Sequence, residues 1–204
     1  MKRLGILGGT FNPPHNGHIY IAQQAKVLAN LDKVLFVPCG NPPHKAVEGE
    51  IDARARLEMT RLAIEDCEGF EICDIEVKSH NKSYTANTLN QLSKIYPDWK
   101  LCFIVGGDSL DYMDKWYRPK TIFSLAEIIA VSRSGLDSKA ANEKAQIYRE
   151  KYDAQITLVE VEPIDISSSD IRDSLRLGKD VSPFINQKVL DYIKNCGIYS
   201  YADD

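Results

Sequence analysis

The stretch that decides the fold lies near the start of the chain and reads Gly8-Gly9-Thr10-Phe11-Asn12-Pro13-Pro14-His15-Asn16-Gly17-His18. An apolar run, residues 4–7, precedes it, and apolar residues recur after it at helical spacing: Ile21, Ala25, Leu28 and Ala29. This order predicts a strand, a loop and a helix. A loop between a strand and a helix presents free backbone N–H groups and the positive end of a helix dipole, which together attract phosphate.

Two features of the stretch strengthen this interpretation. The adjacent glycines Gly8 and Gly9 allow the backbone to approach a ligand closely. His15 and His18 are three residues apart, so both imidazoles can face the same side of a first helical turn and donate to one anion. We therefore predict a phosphate-binding site that contains two histidines.

Commoner phosphate and metal motifs do not fit the stretch. A P-loop requires Lys followed by Ser or Thr after its second glycine, and no such pair occurs. A dinucleotide fingerprint requires the glycine spacing G-x-G-x-x-G, which the stretch does not have. It also requires an acidic residue at the end of the second strand, where this chain has Pro38. The two histidines lack zinc-protease spacing, and His44 and His80 stand elsewhere. One structural alternative stays open at this point, namely a Pro-rich turn whose histidines only cap the following helix.

The rest of the chain alternates between apolar strands and amphipathic helices. We expect further strands at residues 33–37, 101–105, 127–131 and 157–161, and one or two short ones within 70–77. Helices are expected after Asp52, with an apolar stripe of Ala55, Met59, Leu62 and Ala63, after Tyr84, over about 139–151 and from Ser167. This pattern predicts an α/β fold with a doubly wound, mostly parallel, Rossmann-like sheet. We expect one domain, 1–204, with a helical C-terminal part, 168–204, packed on it.

Composition limits the function classes. The 204 residues are 44% hydrophobic and 26% charged, the balance of a globular protein. The net charge of −4 does not favour nucleic-acid partners or an anionic membrane surface. The apolar runs are too short to cross a bilayer or to form a signal-peptide core, so we expect a cytoplasmic protein. The five cysteines include no C-x-x-C pair, and several lie among apolar residues. We expect these cysteines to be small core residues, which fits a protein of a reducing compartment.

A second motif lies far from the first, at Ile166-Ser167-Ser168-Ser169-Asp170-Ile171-Arg172. It resembles the I-S-S-T-x-I-R motif of the nucleotidyltransferase superfamily that includes the nicotinate-nucleotide, pantetheine-phosphate and glycerol-phosphate transferases. The first stretch resembles the H-x-G-H motif of the same superfamily, at His15-Asn16-Gly17-His18. Because serine hydroxyls and N–H groups at a helix start bind phosphate, we expect the two motifs to meet around one triphosphate.

The chemistry expected at such a site is direct adenylyl transfer. A substrate phosphate attacks the α-phosphorus of ATP and pyrophosphate leaves in line, without a protein nucleophile. We assign His15 and His18 to the α-phosphate oxygens, Lys45 and Arg172 to the β and γ phosphates, and Mg²⁺, carried mainly by ATP, to bridging the phosphates. The full set of residues assigned to ATP is Gly8, Gly9, Thr10, Phe11, His15, His18, Gly106, Asp108, Ser167, Ser168, Ser169 and Arg172.

The acceptor is indicated by a more detailed resemblance. The segments Pro42-Pro43-His44-Lys45, Ser83-Tyr84-Thr85, Gly106-Gly107-Asp108-Ser109-Leu110 and Trp116-Tyr117 resemble successive motifs of the bacterial nicotinate-nucleotide adenylyltransferases. The resemblance implies nicotinate mononucleotide as acceptor and nicotinate adenine dinucleotide as product. The residues assigned to this substrate are Lys45, Thr85, Asp108, Trp116, Tyr117 and Arg133. An aromatic ring can stack on the cationic pyridine ring, and Thr85 at a helix start can donate to the carboxylate.

Three other functions compete with this interpretation. One is transfer to another phosphate acceptor, such as phosphopantetheine or glycerol phosphate, and another is a nucleotide sensor without turnover. A fragment resembling a class I aminoacyl-tRNA synthetase is disfavoured, because the chain has no K-M-S-K-S-like run and its net charge suits tRNA poorly. The sequence is compatible with a homodimer.

Overall fold

The computed structural model describes residues 1–42, 51–133, 136–162 and 165–199. The strands are β1 (Lys2–Gly9), β2 (Lys33–Pro38), β3 (Phe70–Ile72), β4 (Trp99–Gly106), β5 (Glu127–Arg133) and β6 (Ile156–Val161). The helices are α1 (Asn16–Leu28), α2 (Ala53–Ile64), α3 (Thr85–Ile95), α4 (Gly107–Leu110), α5 (Pro119–Leu125), α6 (Leu136–Tyr152), α7 (Ser168–Arg176) and α8 (Gln187–Asn195). A 3₁₀ turn spans Met113–Lys115.

The strands of the described chain form one parallel sheet in the order β3-β2-β1-β4-β5-β6. The order reverses between β1 and β4, so their connections leave in opposite directions and open a crevice at the carboxyl ends of both strands. β1 ends at Gly9 and β4 ends at Gly106. The predicted doubly wound α/β fold is therefore confirmed, and its ligand crevice lies next to the His-containing loop.

Both faces of the sheet are buried, which explains the continuous apolar strands. In β2, Val34 and Phe36 belong to the core layer under α1, α2 and α8, whereas Leu35 and Val37 belong to the layer on the other face. Alternation of side chains along a strand produces this division. A strand covered on both sides needs apolar residues at successive positions, as residues 34–37 of β2 are.

Several local predictions are confirmed and others are wrong. Asp52 caps α2 by accepting a hydrogen bond from the Arg54 amide, 3.1 Å away. Residues 70–77 contain only the short strand β3. Of the predicted stripe of α2, Met59 and Ala63 are buried, whereas Ala55 and Leu62 are only partly buried. The other buried residues of the helix are Arg56, Thr60 and Ile64. Helical period alone did not place this face, since tertiary contacts bury an arginine and a threonine there.

Two further predictions concern the cysteines and the crossing of a membrane. All five cysteines are free, and Cys102 is buried as expected, but Cys196 is exposed, so the core interpretation is wrong for that residue. No helix in the described parts of the chain combines the length and the apolar character needed to cross a bilayer.

An ion cluster around the buried carboxylate of Glu127 joins strands β1, β4, β5 and β6 at the end of the sheet opposite the loop. The Glu127 carboxylate accepts two hydrogen bonds from Arg3, both 3.1 Å, and one from Thr157 at 2.7 Å, and it lies 2.5 Å from the Lys100 ammonium. Burial would raise the pKa of Glu127, but these hydrogen bonds and charges lower it to about 2. The carboxylate therefore stabilises the fold in its ionised form.

We predict that Glu127→Gln lowers the free energy of unfolding at neutral pH by roughly 3 kcal/mol, the equivalent of the lowered pKa. Because the folded pKa lies below the unfolded one, the contribution is complete above about pH 5 and is lost as the pH falls toward 2. Urea unfolding at a series of pH values measures it. Glu71→Gln removes a half-exposed partner of Lys33 and should cost less than about 1 kcal/mol; equal losses would contradict the account.

Candidate active site

The loop between β1 and α1 has a tightly packed core of its own. Phe11 adopts a left-handed backbone conformation, with φ of 48°, and only 2% of its surface is exposed. Its ring packs edge-on against His18, with 5.0 Å between ring centroids. A Cβ atom on Gly9 would lie 2.9 Å from the Phe11 ring, so glycine is required there for the ring to reach the strand backbone. Phe11 thus supports His18 from the core.

The loop carbonyls are held by side chains from distant segments. Three of their oxygens accept hydrogen bonds: Thr10 from Arg56 (2.8 Å), Asn12 from Arg172 (2.9 Å) and Pro13 from Ser168 (2.9 Å). The Asn12 side chain also accepts a hydrogen bond from the Tyr199 hydroxyl, 2.5 Å away. A carbonyl oxygen that points at a phosphate repels it. Because these oxygens point at protein donors instead, the backbone N–H groups of the loop are left to bind an anion.

The two histidines lie together at the start of α1. Their ring centroids are 3.8 Å apart, and His18 Nδ1 accepts a hydrogen bond from the His15 backbone N–H at 3.2 Å. Since Nδ1 accepts, the neutral ring of His18 carries its proton on Nε2. His18 can therefore donate one hydrogen bond through Nε2.

Burial decides the charge of the two imidazoles. It lowers the pKa of His15 to about 4 and, with the neighbouring His15 charge, lowers the pKa of His18 to about 3. Both rings are therefore neutral at pH 7 in the free protein. The two imidazoles therefore add no formal positive charge to the site in this state, and what they can contribute to anion binding is directed N–H donors.

The larger of two cavities at the crevice joins both motifs. It encloses about 520 Å³ and is lined by the predicted residues His15, His18, Gly106, Asp108, Ser167 and Ser168. Ser167 also caps α7, accepting a hydrogen bond from the Asp170 amide at 3.1 Å. Segments about 150 residues apart in sequence thus share one cavity at two helix N-termini. This geometry argues against the alternative of a simple capped turn.

The smaller cavity encloses about 200 Å³ on the other side of the same loop. Predicted residues in its lining are Gly8, Gly9, Thr10, Thr85 and Trp116. Thr85 is the first residue of α3, so a helix N-terminus also lies at the lining of this cavity. Trp116 packs edge-on against Phe103, with 6.2 Å between ring centroids.

Other predicted residues lie away from both linings. The Ser169 hydroxyl contacts that of Ser167 at 2.9 Å, and Arg172 is 6% exposed beneath the loop. Tyr117 is 41% exposed, and its ring packs against that of Tyr84 at a tilt of 33°, with 4.4 Å between centroids. Lys45 and the side chain of Arg133 lie outside the described parts of the structure. Direct substrate contacts of all the predicted residues, those in the two linings included, stay predictions.

Several lining residues were not found from the sequence. The larger cavity also contains Tyr20, Asp111, Ser132 and Glu162, and the smaller one contains Glu76 and Thr88. Ser83, which belongs to the quoted Ser83-Tyr84-Thr85 motif but was assigned no role, also lines the smaller cavity. Tyr20 follows His18 by two residues, so the helical turn after the motif was the available signal. The Glu76 carboxylate accepts a hydrogen bond from the Thr88 hydroxyl at 2.6 Å, a contact that spacing alone does not reveal.

The chain resembles known proteins in both sequence and fold. Residues 6–174 match the model of the cytidylyltransferase-like family. The chain is 38% identical to a probable nicotinate-nucleotide adenylyltransferase of Clostridium tetani, with 98% of this chain and 100% of the relative covered. It is 40% identical to a protein of the same name from Clostridium acetobutylicum, with the same coverage.

Among solved structures, the fold resembles a nicotinic acid mononucleotide adenylyltransferase of Plasmodium falciparum, which was solved in complex with NaAD. The TM-score is 0.77 at 19% identity, and 98% of each chain is covered. The likeness at this identity supports the fold.

We predict that neither His15 nor His18 titrates between pH 6 and 7.5 in the free protein, because their pKa values lie near 4 and 3. NMR titration of the imidazole resonances, assigned with His15→Asn and His18→Asn, measures this. A midpoint near the usual value of about 6.5 for either ring would show that the site is more hydrated than its burial indicates.

Proposed function

Because the chain belongs to the cytidylyltransferase-like family and to the nicotinate-nucleotide adenylyltransferases, we propose that it transfers the adenylyl group of ATP to nicotinate mononucleotide, a step of NAD biosynthesis. The products are nicotinate adenine dinucleotide and pyrophosphate. The observation that carries the proposal is that one loop lines both cavities, with Gly9 and Thr10 in the smaller and His15 and His18 in the larger.

The larger cavity suits ATP. The N-termini of α1 and α7 both open onto it, and the imidazoles of His15 and His18 line it as side-chain donors. The Ser168 hydroxyl donates to the Pro13 carbonyl and the Ser167 hydroxyl donates to Asp170, so both hydroxyls would have to turn to donate to a phosphate. These groups favour a polyphosphate without needing many formal charges. Nη1 of Arg172 donates to the Asn12 carbonyl in the described structure, which supports a positioning role for this residue beside its proposed contact with the β and γ phosphates.

The smaller cavity suits nicotinate mononucleotide. The N-terminus of α3 at Thr85 favours a carboxylate, and Trp116 offers a ring for a cationic pyridine ring. The neutral carboxamide of nicotinamide mononucleotide gains less from a helix end. Lys45 and Tyr117 belong to the proposed substrate contacts, and Asp108 in the larger cavity is proposed to bind ribose hydroxyls.

The reaction in this arrangement is a direct displacement. An oxygen of the acceptor phosphate forms a bond to the α-phosphorus of ATP, while the bond from that phosphorus to the oxygen bridging the α and β phosphates breaks. The electron pair leaves with pyrophosphate. Negative charge grows on the α-phosphate oxygens, and the neutral His18 donates its Nε2–H to one of them. The loop's fixed amide groups add to this stabilisation without reorganising.

Magnesium enters the proposal as part of the substrate, bound to ATP. Within the described residues, no three His, Cys, Asp or Glu side chains are grouped so that they could hold a metal ion. No step is therefore assigned to a metal bound by the protein. We place the reaction in the cytoplasm, where ATP is supplied.

The proposed function predicts release of one pyrophosphate per nicotinate mononucleotide consumed when the protein is mixed with Mg·ATP. Nicotinamide mononucleotide, phosphopantetheine and glycerol phosphate serve as competing acceptors in parallel reactions. Preference for another acceptor would replace the proposed substrate. ATP binding without turnover on any acceptor would favour a sensor and contradict the enzyme.

We predict that His18→Ala raises the activation free energy by roughly 3 kcal/mol, the cost of one lost transition-state donor. The kcat should fall by about two orders of magnitude with a smaller change in KM. His80→Ala, which changes an exposed histidine, serves as the control and should leave both constants unchanged. A near-normal kcat in His18→Ala would remove the residue from the reaction.

We predict that Thr85→Val reduces the preference for nicotinate over nicotinamide mononucleotide by about tenfold, because a hydrogen bond to a charged group is worth about 1.5–3 kcal/mol. The measurement is the ratio of kcat/KM for the two acceptors. The rate with nicotinamide mononucleotide is the internal control, since its neutral group depends less on the donor. An unchanged ratio would place Thr85 outside the carboxylate site.

A further inference from the structure

Helix α2 carries an arginine on the face that packs against the core. Arg56 is 1% exposed and shares this face with Met59, Thr60, Ala63 and Ile64. A methionine of similar length would fill the same space without a charge to desolvate. Burial lowers the pKa of Arg56, so the charged form is destabilised by its surroundings. The packing of the helix alone does not account for an arginine at this position.

The hydrogen bonds of Arg56 show what the charge does. Nη1 donates to the Thr10 carbonyl at 2.8 Å and Nη2 donates to the Gly40 carbonyl at 3.2 Å. Nε is buried and has no hydrogen-bond partner among the described residues. Both bonds therefore go to backbone oxygens of two different loops.

The two loops border the smaller cavity from different strands. Thr10 follows β1 and lines that cavity directly. Gly40 follows β2, and the amides of Gly40 and Asn41 donate to the Ser83 hydroxyl at 3.1 and 3.2 Å. Ser83 lines the cavity just before Thr85. A single guanidinium thus links the His-containing loop to the loop that carries the opposite wall.

The contact at Gly40 leaves little freedom. A Cβ atom there would lie 2.1 Å from the carbonyl oxygen of Glu76, whose side chain lines the same cavity. The loop after β2 is therefore pressed against the segment before α3 on one side and tied to Arg56 on the other. Its position relative to the loop after β1 depends on the length and planarity of the guanidinium fork.

We propose that Arg56 is a positioning residue for the transfer reaction, which fixes the distance between the loop that binds ATP and the wall of the acceptor pocket. The inference depends on the proposed function. Alignment of two bound substrates is sensitive to displacements of about 1 Å, which can cost about a hundredfold in rate. A lysine reaches only one of the two carbonyls well, because it is a point donor in place of a fork.

The test compares Arg56→Lys and Arg56→Ala with Arg61→Ala, all at a temperature where circular dichroism shows the variants folded. Arg61 lies on the same helix and pairs with Glu58 and Glu65 at the surface. We expect kcat per folded molecule to fall at least about tenfold in Arg56→Lys and about a hundredfold in Arg56→Ala. Arg61→Ala should stay within about twofold of the unchanged chain.

A second readout separates positioning from mere support of the fold. Guanidinium ion, added well below denaturing concentrations, should raise the kcat of Arg56→Ala several-fold by occupying the vacated space, and should not raise that of Arg61→Ala. Normal kcat in folded Arg56→Lys and Arg56→Ala would overturn the proposal. Loss of folding in both variants would also overturn it, because Arg56 would then serve the core.

The outcome is distinguishable from failure of the proposed function. If the unchanged chain makes no dinucleotide from nicotinate mononucleotide, the reaction itself is wrong. If the unchanged chain turns over and the Arg56 variants match it, only the positioning role is wrong.

Discussion

The site depends on where the carbonyl oxygens of the loop after β1 are held. Those of Thr10, Asn12 and Pro13 are bound by side chains from α2 and α7, and Tyr199 near the C-terminus holds the Asn12 side chain. These contacts join segments that are far apart in sequence. Carbonyl oxygens that faced a phosphate would repel it. The loop can therefore bind an anion only while these oxygens are hydrogen-bonded to other parts of the protein. Folding of the whole chain is therefore a condition for the site.

Burial gives this site an unusual electrostatic character. The two imidazoles are neutral at physiological pH, and the chain has a net charge of −4. Attraction for a polyphosphate consequently comes from helix N-termini and fixed N–H donors together with the charge of Mg·ATP. Such dipoles require no reorganisation as charge develops in the transition state. A directed neutral donor such as His18 also avoids a buried cation that would need a partner when the site is empty.

The sequence predicts the parts of this structure that depend on local pattern. The loop motif, the apolar strands and the caps at Asp52 and Ser167 follow from residue type and spacing, and the crevice follows from parallel strand order. The charge state of His15 was not predictable, because it depends on burial in the folded chain. Arg56 was missed because periodicity assigns apolar residues to a core face, whereas its partners are carbonyls in two loops. A hydrogen bond from a side chain to the backbone of a distant loop produces no recognisable residue spacing in the sequence.

The central claim is that one loop aligns two substrates across its two faces. A crystal structure with nicotinate mononucleotide and a non-hydrolysable ATP analogue tests it most directly. The account predicts that an acceptor phosphate oxygen lies about 3–3.5 Å from the α-phosphorus, opposite the leaving oxygen, with His18 Nε2 in hydrogen-bond range of an α-phosphate oxygen. An acceptor phosphate too far from the α-phosphorus to attack it, or an α-phosphate out of reach of His18, would contradict it.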